Sequence, residues 1–133
     1  MQTKQLEAAC KCFNFAGVFS LDRLPVVLPT NAKFIVNTHT HNLPGQHWIA
    51  VDGDSVFDPF GIFYPKSLLS YLYRKKNAKL TYNYTCYQSP SSDLCGQFCL
   101  YFIHYGIHGL MPYEFEHNNN IIQKTLYCFN NLY

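Results

Sequence analysis

The sequence predicts an α+β fold in which a small mixed sheet packs on one buried helix, all within a single domain spanning 1–133. Three observations predict it. The run from Cys95 to Tyr105, CGQFCLYFIHY, is apolar on nearly every side, as expected of a helix at the centre of a domain. Two β-rich runs, HWIAV and VFDPFG, flank the turn-forming DGDS and read as a hairpin. The chain has 133 residues, 48% hydrophobic and 17% aromatic with only 14% charged, which suits one core, is too short for two, and argues against disorder.

Taken in order, residues 3–12 (TKQLEAACKC) suit a short helix, and the stretch from Phe13 to Phe19 carries aromatics and glycine ahead of a loop punctuated by Pro25 and Pro29. Residues 33–38 (KFIVNT) read as a strand and lead to the hairpin. Apolar positions at helical spacing predict a helix over 66–76, and the alternation of KLTYNYTCY predicts a strand over 79–87. Asp93 is the expected N-cap of the buried helix. Asn118, Asn119 and Asn120 mark the start of a further helix running from Ile121 to Tyr133.

Ten Lys and Arg against eight Asp and Glu give a formal net charge of +2, too small to imply nucleic-acid binding by itself. One local run, Arg74, Lys75 and Lys76 with Lys79, is the candidate for a weak DNA contact; its commoner meaning is a solvated face. The N-terminal residues lack a signal-peptide pattern and no apolar run approaches the ~18 residues of a membrane span, so an intracellular, non-membrane protein is expected; a monomer is expected as well. Its six cysteines (10, 12, 86, 95, 99 and 128) are then expected as thiols. Asn83-Tyr84-Thr85 matches a glycosylation sequon and is read as incidental.

Cys95 is the candidate nucleophile, because a helix N-terminus places unpaired N–H groups and the positive end of the macrodipole beside the sulfur. Cys99 lies one turn further in and reads as inert core. The base must come from elsewhere: His104 is roughly 180° around the same helix and about 13 Å along it. His47 begins a strand at a loop exit, where a side chain can project into a cleft. His39 and His41 share a strand face, but no four ligands at zinc-like spacing accompany them, so no metal is expected.

The hairpin supplies a geometric test. If Val51 faces Val56, Ile49 faces Asp58 and His47 becomes its diagonal neighbour, at roughly 7–8 Å between backbones, close enough for an imidazole and a carboxylate to meet. Asp52 and Asp54 are better explained as turn formers. Trp48 either shields the His47–Asp58 pair or is a large core aromatic.

Four features in this order, Gly45-Gln46-His47-Trp48, Phe57-Asp58-Pro59-Phe60-Gly61, Gln88 seven residues ahead of Cys95, and Cys95-Gly96-Gln97-Phe98-Cys99, resemble the adenovirus-type (adenain-like) cysteine proteases, distant relatives of the SUMO-deconjugating enzymes. The likeness covers about residues 13–105 and includes Phe15-Ala16-Gly17-Val18-Phe19 through Arg23 and Pro25; the residues after Tyr105 show none. Asp58 stands where the family commonly has Glu. The resemblance implies a papain-like protease fold in the adenain arrangement and a Cys95–His47–Asp58 triad, with Gln88 donating to the oxyanion hole beside the Cys95 N–H.

It also implies endopeptidase cleavage after small Gly-containing motifs. The substrates would be capsid or core precursor proteins of a DNA virus or virus-like transposon, processed during virion maturation in the host nucleus, cytoplasm or virion. A ubiquitin- or SUMO-like deconjugating protease and a catalytically inactive binding protein on the same fold are the alternatives. No cofactor is implied for the chemistry. An activating peptide or DNA is implied by analogy, but Asn77 occupies the position of the cysteine that joins such a peptide, which points away from a disulfide-linked activator.

Overall fold

The computed structural model describes residues 2–10, 12–38, 47–62, 64–76, 79–115 and 118–131. Gly45 and Gln46 of the first motif, His39, His41, Asn77, and the side chains of Lys76 and Cys128 lie outside what is described. The elements run α1 (Thr3–Ala9), β1 (Phe15–Ser20), β2 (Lys33–Asn37), β3 (Trp48–Asp52), β4 (Ser55–Phe57), α2 (Lys66–Lys76), β5 (Thr81–Tyr82), α3 (Cys95–Tyr105) and α4 (Asn118–Asn131), with short 3-10 turns at Leu21–Arg23 and Tyr113–Phe115. This is the expected α+β class. The five strands form one mixed sheet in the order β1-β2-β3-β4-β5, with β1 parallel to β2, an antiparallel β2-β3-β4 centre, and β5 parallel to β4.

Period-two side-chain alternation gives the sheet two apolar faces. Val18, Ile35, Trp48, Ala50 and Phe57 meet α3, whose Phe98, Cys99, Phe102 and Ile103 are buried with them, along with Leu6 of α1 and Ile122 of α4. Phe34, Val36, Ile49, Val51 and Val56 face the other way, against Leu68, Tyr71 and Leu72, the i, i+3, i+4 stripe of α2. Phe57 stacks on Phe102 at 4.5 Å between ring centroids and 4° between planes, fixing α3 against the hairpin. Trp48 is 2% exposed and packs within the cluster on the α3 face of the sheet. Among the described residues no helix is long and apolar enough to cross a membrane.

Four local expectations are corrected. The first helix stops at Ala9 rather than residue 12, where Cys10 turns extended and donates its N–H to the Leu6 carbonyl at 3.0 Å. The stretch from Phe13 to Phe19 contains strand β1, hidden in the sequence because its register slips between Phe15 and Gly17. The strand over 79–87 shrinks to Thr81–Tyr82, since the chain beyond leaves the ladder to follow the loop after β4. The N-cap of α3 is Leu94, not the exposed Asp93: Ser92 Oγ accepts the Leu94 N–H at 3.2 Å, and the Ser89–Ser92 turn fixes how the chain enters the helix.

Candidate active site

The hairpin pairs Val51 with Val56, the register from which the His47–Asp58 proximity follows. His47 immediately precedes β3, and Asp58 immediately follows β4. Both therefore leave the sheet at the same end of the hairpin, held by a ladder whose register cannot slip without turning Val51 and Val56 out of the core. His47 Nε2 lies 2.8 Å from Asp58 Oδ1. That leaves the ring's Nδ1 as the nitrogen able to meet a thiol.

Asp58 is fully buried, an expensive place for a carboxylate unless its oxygens are occupied. They are: Oδ1 also accepts the Phe60 N–H at 3.1 Å, and Oδ2 accepts the Ile62 N–H at 3.0 Å. The Pro59-Phe60-Gly61 turn folds back over its own acid, closed by the Gly61 N–H donating to the Asp58 carbonyl at 2.9 Å. Gly61 has φ +72°, and a Cβ there would sit 2.6 Å from the Thr85 carbonyl oxygen, so only glycine fits. Phe60 then stacks on the His47 ring at 5.3 Å.

Cys95 is the first residue of α3 and is buried, 6% exposed. It is hydrogen-bonded to His47, as is Asp58. Burial acts to lower the basicity of His47, but the bonds to Asp58 and Cys95 and the charges of both outweigh it, raising the imidazole from 6.5 to about 9. Burial pushes Cys99 well above the ordinary value of 9, Cys10 up to about 12, and Cys12 and Cys86 upward. His104 bonds the Leu100 carbonyl within its own helix at 3.0 Å, away from this cluster.

Gln88 is fully buried. Its backbone N–H and that of Tyr87 donate to the Pro59 carbonyl at 3.1 and 2.9 Å, which ties the Gln88 segment directly to the Asp58 turn. One Nε2 hydrogen goes to the Ser92 carbonyl at 2.9 Å, and an amide nitrogen carries two. Sequence reasoning missed Asn83, whose side-chain amide bonds the Asp58 backbone, and Tyr64, whose hydroxyl bonds Asn83. The sequon reading of Asn83 drew attention away from it, and no spacing signal linked it to residue 58. Of the basic run, Arg74, Lys75 and Lys79 are exposed, and Lys75 Nζ donates to the Val26 carbonyl.

No protein-family model matches the chain. Over 94 aligned residues it is 34% identical to a protein named Protease from Bovine adenovirus C serotype 10, covering 56% of this chain and 48% of that protein. The chain thus spans about half the length of the curated relative it matches. This similarity supports a relationship to an adenovirus-type protease.

Proposed function

We propose that the chain is a cysteine endopeptidase with a papain-like arrangement, in which Cys95 is the nucleophile, His47 the general base and acid, Asp58 the orienting carboxylate and Gln88 an oxyanion donor. One observation carries the reading: a fully buried carboxylate 2.8 Å from His47 Nε2, with the same imidazole bonded to a thiol at the start of a buried helix. The chemistry follows from that arrangement. His47 takes the Cys95 thiol proton, and the sulfur's electron pair forms an S–C bond to a peptide carbonyl carbon as the C=O π pair moves onto oxygen. The second Gln88 Nε2 hydrogen and the Cys95 backbone N–H are the donors for that oxyanion. Collapse breaks the C–N bond, His47 returns its proton to the departing amine, and water deprotonated by His47 hydrolyses the thioester.

The similarity to an adenovirus protease supports protein substrates; the substrates proposed are structural precursors of a DNA virus cut after small Gly-containing motifs, as the motif resemblance implies. Hydrolysis of a panel of quenched peptides by wild type, Cys95→Ser, His47→Ala and Asp58→Asn tests the reading. Activity is expected in wild type and at least ~10²-fold less in Cys95→Ser and His47→Ala. Undiminished hydrolysis by Cys95→Ser would overturn the assignment.

A further inference from the structure

We infer that Asn83 is a positioning residue for Asp58, its side-chain amide serving as the next rung of the β4–β5 ladder and fixing the backbone from which the carboxylate reaches His47. The inference rests on the proposed triad. β5 pairs with β4 in parallel through Ser55↔Thr81 and Val56↔Tyr82 and then ends. Asn83 follows directly. Its Oδ1 accepts the Asp58 N–H at 2.9 Å, and its Nδ2 donates to the Asp58 carbonyl at 2.6 Å and to the Thr85 carbonyl at 3.2 Å. The amide's orientation is forced, because a backbone N–H can only donate and a carbonyl can only accept.

Asn83 is itself gripped by the Tyr64 hydroxyl, which lies 2.6 Å from its carbonyl and 2.8 Å from its Oδ1. Burial and the Asp58 charge raise the Tyr64 phenol, keeping it a donor. Without Asn83, both backbone polar groups of Asp58 would lose these partners just past the last ladder pair, and the turn carrying the acid would lose its tie to the β5 end, keeping the one through Pro59. With Asn83, Asp58 is fixed from both sides: backbone by the amide, oxygens by the Phe60 and Ile62 N–H groups. A side chain committed in this way is a poor glycan acceptor, which gives the sequon asparagine a structural use instead.

The test is Asn83→Ala, with Tyr64→Phe as a gentler second variant, read by steady-state peptide hydrolysis and by NMR titration of the His47 ring. Among the described residues, Asp58, Cys95 and Phe60 face that ring. Misplacing an orienting group by an ångström or less costs up to about 10²-fold, so Asn83→Ala is expected to lower kcat by about 10- to 100-fold with KM within about 3-fold. The His47 midpoint should fall by ~0.5 pH or more, and Tyr64→Phe should move both readouts the same way by less. A folded Asn83→Ala with wild-type kcat and an unmoved His47 midpoint overturns the inference. Should Asn83→Ala fail to fold, Tyr64→Phe decides in the same manner. A wild-type protein without peptidase activity would defeat the protease reading alone, and the His47 midpoints of the variants would still decide the role of Asn83.

Discussion

Replacing Asp58 by Asn removes one charge and almost no volume, so its consequences isolate what the carboxylate contributes. The acid holds the His47 imidazolium at 2.8 Å in a fully buried position, and the imidazole is raised from 6.5 to about 9. That displacement corresponds to a ceiling of roughly 3 kcal/mol favouring the charged ring, shared between Asp58 and Cys95. Because the folded value lies above the unfolded one, this stability is fully present below pH 6.5 and is lost as pH rises through about 9. Wild-type unfolding free energy should therefore decline across that window. Cys10, pushed up to about 12, adds pH dependence only above the ordinary thiol value of 9. In Asp58→Asn the decline should flatten, since burial then acts on His47 with less opposition. One amide N–H will also confront the Phe60 or Ile62 N–H that the carboxylate accepts. Denaturant unfolding at pH 6, 7.5 and 9 with NMR titration of His47 measures both. An unchanged slope and an unchanged His47 midpoint in the variant would refute the reasoning.

Gly61→Ala should cost roughly 2 kcal/mol or more and lower the thermal midpoint by several degrees, because the new Cβ would meet the Thr85 carbonyl oxygen at 2.6 Å and the Tyr84 carbonyl at 2.9 Å, both backbone, at φ +72°. A melt within a degree of wild type would contradict this. Phe98→Ala should cost about 3–5 kcal/mol by leaving a cavity between α3 and the sheet, measured as a lower denaturant midpoint at unchanged slope.

Much of this architecture could be read from residues alone, and the exceptions have identifiable causes. Helix α3 spans Cys95–Tyr105 as its uninterrupted apolar run required, and α2 spans Lys66–Lys76. The Val51↔Val56 register followed from the DGDS turn and carried His47 and Asp58 to one place. Strand β1 was concealed because its irregular register at Gly17 breaks the alternation a strand normally shows. The alternation of KLTYNYTCY misled in the opposite direction: after Tyr82 the ladder is continued by the Asn83 side chain, and the main chain turns along the Asp58 loop instead. Such a substitution of side chain for backbone leaves no periodic trace. Asp93 looked like a cap because caps are usually acidic or hydroxylic, yet the N-cap is Leu94, whose side chain makes no cap bond, and Ser92 Oγ accepts the Leu94 N–H just outside the helix.

The most direct test of the central claim is the rate at which iodoacetamide alkylates Cys95, mapped by mass spectrometry from pH 5 to 9 in wild type and His47→Ala. If the imidazole activates this sulfur, Cys95 should react well ahead of Cys10, Cys12, Cys86 and Cys99 near neutral pH, and the advantage should vanish in His47→Ala. Equal Cys95 rates and equal pH profiles in the two proteins would contradict the account.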